Sequence, residues 1–220
     1  MKRLLLMLPL IACGKPNVQK ALIIGDSLAA TNGKMAGHTD HEGWGRYVVI
    51  NGYKVENAAI PGKSSKSYYD IYWKGIFLLT QPDLLLIEFG GNDIKDDPIR
   101  HTDPQTTFKD YLRSYVQEAR GRSTDPKSPK LSAAKVVFVL TTDYVDRTNG
   151  CVSAPRLEDY VQAMKEVALE LDVPVVDAHT ESVKMANENC ALYYRDTAHL
   201  TDAGARRIAN TINDQLKSIL

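Results

Sequence analysis

"DLLLIEF", residues 83–89, is apolar at every position from Leu84 to Ile87. A strand with one wet face alternates apolar and polar residues. This one does not, so both of its faces must be covered, as they are inside a parallel sheet. Four further β-type runs lie at residues 21–24, 54–59, 135–140 and 173–177. Segments with helical spacing stand between them. Residues 104–122 follow Asp103, a good N-cap, with Pro104 at the first helical position. Phe108, Tyr111, Leu112, Tyr115, Val116 and Ala119 then recur on one face. Residues 64–79, 155–171 and 201–220 read the same way, while residues 33–45 and 123–132 read as irregular. Strand and helix in alternation predict an α/β fold, a three-layer α/β/α sandwich around a mostly parallel five-stranded sheet.

The 220 residues suit one domain, placed at residues 20–220. Lysine plus arginine and aspartate plus glutamate each number 27, for a formal net charge of zero. That balance sets up no field that would draw nucleic acid. Lys2 and Arg3 precede an apolar stretch, so residues 1–12 read as an export leader, too short to span a bilayer. Its end, Leu10-Ile11-Ala12-Cys13-Gly14, resembles the lipobox of bacterial lipoproteins. That resemblance implies a lipid on Cys13, a tether over residues 13–19 and a bacterial cell-envelope location, with membrane contact through the lipid alone. Cys151 and Cys190 remain. In an oxidising compartment they form either a disulfide or two separate buried thiols, and spacing alone leaves both open.

In an open parallel sheet, ligands bind beyond the C-terminal ends of the strands. Polar residues that follow different strands are therefore expected to meet. Gly25-Asp26-Ser27 follows the first strand, a segment ending in Gly62 follows the second, and Gly90-Gly91-Asn92-Asp93 follows the third. Asp196 and His199 precede the last helix. Each alone has an ordinary reading. Asp26 or Ser27 caps a helix, Gly62 and Asn92 make turns, Asp196 is solvated and His199 packs at a helix start.

Together these residues supply an acyl-transfer site. Ser27 is the nucleophile and His199 the base. Asp196, three residues earlier, orients the imidazole. The N–H groups of Ser27 and Gly62 and the amide of Asn92 are the candidate oxyanion donors. A helix starting at Ser27 would add its dipole.

These four blocks, in this order, resemble the SGNH, or GDSL, hydrolase family: Gly25-Asp26-Ser27-Leu28, then Gly62, then Gly90-Gly91-Asn92-Asp93, then Asp196 with His199. The resemblance covers residues 25–199 and implies a flavodoxin-like sheet and serine ester hydrolysis without metal or cofactor. Gly43-Trp44-Gly45 and Gly62-Lys63-Ser64-Ser65 resemble the branch of carbohydrate acetylesterases that act on rhamnogalacturonan. Within that branch Trp44 is a candidate platform for a sugar, against its plainer reading as a packing residue. The expected function is thus serine esterase action on an O-acyl, specifically O-acetyl, ester of a carbohydrate. Lysophospholipase or thioesterase activity, and glycan binding without catalysis by an envelope lipoprotein, are the alternatives. The expected partner is a small-molecule or polysaccharide ester met by a monomer.

The remaining histidines have weaker claims. His38 and His41 lie near Asp40 and Glu42, but their spacing fits no common metal site, and they read as solvated or as a substrate rim. His179, after the fifth strand, is the one rival base and lacks an aspartate at the matching offset. Gly25 does not open the glycine-rich run of a dinucleotide site.

Overall fold

The computed structural model describes residues 18–31, 43–121, 133–148, 151–154 and 156–220. The leader, Cys13, the tether up to residue 17, His38, His41 and the loop at 123–132 lie outside the described residues.

The strands in chain order are β1 (Gln19–Ile24), β2 (Tyr53–Asn57), β3 (Leu84–Ile87), β4 (Lys135–Val139), β5 (Tyr144–Asp146), β6 (Val152–Ala154) and β7 (Val175–Val176). Five of them form one sheet in the order β2-β1-β3-β4-β7, and every pairing is parallel. This is the five-stranded parallel sheet expected from the sequence, in the order of a flavodoxin-like fold. The continuous apolar runs have the predicted cause. Leu22 and Ile24 of β1, Leu85 and Ile87 of β3, and Val136 and Phe138 of β4 pack into one core cluster. Ala21 and Ile23, Leu84 and Leu86, and Val137 and Val139 pack into another on the opposite face.

The helices cover the two faces. On the first lie α1 (Ser65–Tyr68), a π-helical turn (Tyr69–Trp73), α2 (Lys74–Thr80), α3 (Thr107–Ala119) and α4 (Glu158–Leu171). On the second lie a 3₁₀ turn (Trp44–Arg46), α5 (Ala178–Tyr193) and α6 (Asp202–Ile219). The expected single helix at 64–79 is thus divided. Its π turn carries Tyr69 and Trp73, whose hydroxyl and indole N–H both donate to the buried Glu118 carboxylate at 2.6 Å. Asp103 does not cap α3. Its Oδ1 accepts from the N–H groups of Gln105 (2.8 Å) and Thr106 (3.0 Å), which closes a separate turn, and the helix starts only at Thr107.

Two features were not anticipated. One is α5, whose buried stripe of Ala178, Ser182, Met185, Ala186 and Cys190 is small and mixed in polarity. The other is the antiparallel hairpin of β5 with β6, lying between β4 and α4.

In this strand order the chain leaves β1 toward β2 on one side and returns to β3 on the other. The crevice at their C-terminal ends is the topological switch point, where such sheets bind ligands.

Candidate active site

Ser27 sits in one tight turn just past β1. The N–H of Ala30 donates to Asp26 O at 3.1 Å, and the N–H of Leu28 donates to Asp26 Oδ1 at 2.9 Å. Asp26 is thus an Asx-type turn former, and no helix starts at Ser27 among the described residues. The expected helix dipole is not there to act on the serine.

A floor of close backbone contacts holds this turn. The N–H of Gly43 donates to Ala30 O at 2.8 Å and that of Trp44 to Leu28 O at 2.9 Å. The Asn57 amide donates to Ala29 O at 2.8 Å. A Cβ on Gly45 would stand 2.2 Å from both Ala29 O and Asn57 Nδ2, and one on Gly43 would stand 2.4 Å from Leu28 O. Gly43-Trp44-Gly45 is therefore the bed of the nucleophile turn. Trp44 is only 1% exposed, buried beside Val48, Ile23 and Ala29 in the second core, so it offers no face to a sugar. The substrate role expected of it is corrected to packing.

Two of the three candidate oxyanion donors, Gly62 and Asn92, belong to loops that approach Ser27 from both sides. The N–H groups of Ala58 and Ile60 donate to Ile23 O and Gly25 O, each at 2.9 Å, which extends the β2–β1 pairing past the strand ends and brings the Gly62 turn alongside. Gly62 has φ +76, a left-handed conformation that favours glycine. From the other side, Asn92 follows β3, and its Nδ2 donates to Asp26 Oδ2 at 3.2 Å. That bond uses one of the two amide hydrogens and fixes the plane of the group.

The remaining residues come from the loop between α5 and α6. Ser27 Oγ and His199 Nε2 are 3.0 Å apart, and His199 Nδ1 lies 2.8 Å from Asp196 Oδ2. The other Asp196 oxygen accepts from the backbone N–H groups of Ala198 and His199, both at 2.8 Å. Burial by itself would raise the Asp196 pKa. The hydrogen bonds from His199 and from these backbone groups outweigh it and hold the carboxylate well below its usual range. Asp196 is therefore charged through the whole neutral range, the state needed to fix one imidazole tautomer.

In and under the turn lie three buried carboxyl groups. Burial pushes Asp26 up to about 6, against the hydrogen bonds from Leu28 and Asn92 and the charge of His199. Burial likewise raises Asp93 to about 6, against hydrogen bonds from Ser65 and Thr102. Glu88 is pushed well above the ordinary glutamate value, first by burial and then by the neighbouring Asp26. Asp93 ties the second and third blocks together. It accepts from the Ser65 N–H (3.1 Å) and hydroxyl, from the Gly90 N–H (3.1 Å) and from Thr102 Oγ1 (2.8 Å). Ser64 is the N-cap of α1, in a reciprocal box with Ser67. The Gly-Lys-Ser-Ser stretch thus ends in a cap and a clamp.

Ser27, Asn92, Asp196 and His199 are brought together, with the Gly62 turn beside them. His179 is not among them. It is 5% exposed, with Nδ1 3.1 Å from Thr141 O and Nε2 3.4 Å from Glu158, so the rival base is a packing residue. Cys151 and Cys190 are disulfide-bonded, with Cα atoms 5.6 Å apart, which decides the alternative left open by the sequence. Glu88 and Tyr144 were missed. Glu88 had a visible signal, a charge at the end of an otherwise apolar strand. Tyr144, whose hydroxyl donates to Gly91 O beside Asn92, had none.

Residues 23–207 match the GDSL-like Lipase/Acylhydrolase family. That is most of the chain, and the chain belongs to this family: it is a carboxylic ester hydrolase. Among curated proteins, "Probable rhamnogalacturonan acetylesterase YesY" of Bacillus subtilis (strain 168) is 28% identical over 213 residues, covering 90% of this chain and 92% of that one. Rhamnogalacturonan acetylesterase RhgT of the same organism is 28% identical over 201 residues, covering 80% and 81%. Among solved structures, the acetylxylan esterase Axe2 of Geobacillus stearothermophilus has TM-score 0.67 at 20% identity over 90% of this chain and 94% of its own. A lipase/acylhydrolase of Enterococcus faecalis has TM-score 0.65 at 21% identity over 92% and 97%. These two are likenesses of fold.

Proposed function

We propose that this protein is a serine esterase that removes an O-acetyl group from a carbohydrate. One observation carries the catalytic part: Ser27 Oγ, the His199 ring and Asp196 form a continuous chain with links of 3.0 and 2.8 Å. In this reading His199 Nε2 takes the Ser27 proton as Oγ attacks the ester carbonyl. Asp196 holds the tautomer and stabilises the imidazolium. Negative charge then develops on the carbonyl oxygen, where the Asn92 amide and the N–H groups of Ser27 and Gly62 receive it. Each such donor contributes roughly 10²–10³-fold to turnover. Collapse expels the alcohol, which takes the proton back from His199. Water, activated by the same imidazole, releases acetate.

The carbohydrate and acetyl parts are supported by the similarity to rhamnogalacturonan acetylesterases. An open cleft of about 430 Å³ lies beside Gly62, with Lys63, Ile99 and Arg100 among its lining residues. We also propose export and lipid attachment at Cys13, which would put this chemistry in the cell envelope. Intact-mass measurement of the mature chain, with Cys13→Ala as the control, checks the attachment.

An ester panel tests the function. Acetyl esters of polysaccharides and of small phenols are expected to be cleaved, and long-chain acyl esters not. Ser27→Ala is expected to lose about 10⁴-fold or more in kcat with unchanged circular dichroism. Strong long-acyl activity would move the substrate to lysophospholipids or thioesters.

A further inference from the structure

The loop that carries Asp196 and His199 lies outside the sheet. Its own backbone closes through one isolated bridge, Tyr194 with Leu200, made by bonds from the Arg195 N–H to His199 O at 2.8 Å and from the Thr201 N–H to Tyr193 O at 2.9 Å. The β5–β6 hairpin reaches it from outside. The N–H of Val145 donates to Thr197 O at 2.9 Å, and the Arg147 guanidinium donates to Arg195 O. At the start of the same strand, the Tyr144 hydroxyl donates to Gly91 O, next to Asn92. One three-residue strand and the residue after it thus touch both the base-bearing loop and the loop that offers the oxyanion amide.

A two-stranded hairpin this short is not stable by itself. The Cys151–Cys190 disulfide closes its far end, joining the residue before β6 to α5. Cys190 is a telling attachment point. Asn189, immediately before it, leaves helical geometry (φ −162, ψ 78), so α5 is kinked there. Four residues later comes Tyr194, where the bridged loop begins. The disulfide, the kink and the hairpin thus all lie beside the Asp196–His199 turn.

We propose that the β5–β6 hairpin, locked by the Cys151–Cys190 disulfide, is a positioning brace. It sets His199 and Asn92 against Ser27, and so contributes to turnover beyond what it adds to the stability of the domain. The inference rests on the esterase reading above. Physically it is a matter of tolerance. A misplacement of about 1 Å in a catalytic group costs on the order of 10²-fold. Val145, Cys190, Tyr194 and Leu200 are also buried in the second core, so turnover has to be read per folded molecule.

The test compares the full chain with Cys151→Ala/Cys190→Ala and, separately, with Arg147→Ala, an exposed side chain whose loss does not threaten folding. Active sites are counted by stoichiometric labelling with a fluorophosphonate, and kcat and KM are measured per labelled site on an acetyl ester. The brace predicts that kcat falls about tenfold in the cysteine pair and several-fold in Arg147→Ala, with KM within about twofold in both. A plain structural role would lower only the number of folded molecules. Unchanged kcat per labelled site in both variants overturns the proposal. If the cysteine pair does not fold, Arg147→Ala decides by the same criterion. A wild-type chain that cleaves no ester overturns the esterase reading and this inference together. An active wild type with indistinguishable variants overturns this inference alone.

Discussion

On one side of the Ser27–His199 hydrogen bond stands a turn built into the sheet; on the other stands a loop leaned against it. Ser27 follows β1, is 8% exposed, and rests on Gly43, Gly45 and Asn57 through contacts that leave no room for a Cβ. His199 and Asp196 are far more open, with side chains 28% and 46% exposed. They depend on a short hairpin, one bridge and a disulfide. The nucleophile is fixed by packing density, which cannot relax without disturbing the core. The base is held at a more open loop, whose ends Tyr194 and Leu200 are buried in the second core while the turn between them is fixed by directional bonds. The same catalytic precision is reached by two kinds of constraint, and they should fail differently.

Among changes that leave the nucleophile in place, the largest expected effect lies on the open side. Asp196→Asn is expected to lower kcat about 10²- to 10⁴-fold, far beyond any drop in melting temperature, because the amide offers His199 the wrong partner for its tautomer. Kinetics beside a thermal melt separate the two. A variant that lost stability and kept turnover would break the contrast.

On the packed side, Gly45→Ala is expected to fail as a folding defect. Its Cβ would meet Ala29 O and Asn57 Nδ2 at 2.2 Å. Overpacking of this kind costs about 1–3 kcal/mol or more, read as a lower denaturation midpoint in urea, and the displaced turn should lower kcat as well. Full stability in this variant would show that the bed under Ser27 is soft.

The buried carboxyl groups sharpen the comparison through pH. Asp26 and Asp93 are raised to about 6 in the folded protein from ordinary values near 3.8. Between those values the folded state holds protons that the unfolded chain has released. Their contribution to stability therefore falls as pH rises through that window. Asp196 is lowered, so its contribution is present above its unfolded pKa and is lost only in strong acid. Thermal melts are expected to show higher stability at about pH 5 than at about pH 7, a reversal of ordinary acid destabilisation. A monotonic loss below neutral pH would count against the buried cluster.

The smallest effect concerns Trp44. Its indole nitrogen is buried and has no hydrogen-bond partner among the described residues. Trp44→Phe therefore gives up volume and no bond. KM for an acetylated glycan is expected to stay within about twofold, since no sugar reaches the ring. A large rise in KM would restore the stacking role.

The sheet was legible because β1, β3 and β4 are buried on both faces, and a short unbroken apolar run between turn residues fits a strand covered on both sides. The helix α5 was not. Its buried stripe is made of Ala178, Ser182 and Ala186 with one methionine, and small residues against a sheet leave little hydrophobic periodicity. The hairpin was too short for its pattern to rise above chance. Trp44 was misread because sequence shows that an aromatic lies between two glycines, not that those glycines press its backbone onto the nucleophile turn. Asp103 was placed at the right helix but one turn early, since an Asx turn and an N-cap use the same side chain and the same early N–H groups.

Local pattern in the chain was enough to establish the alternation of strand and helix, the chemical types at the strand ends and the family to which the protein belongs. Apolar runs and short motifs carry all three. Packing across the sheet settled the rest. It places Ser27 and His199, separated by 172 positions, 3.0 Å apart. It turns His179 toward Thr141, seals Trp44 in the core and brings Cys151 to Cys190. The physical reason is common to all four. Distance and burial depend on how the layers meet, and no single segment carries that information.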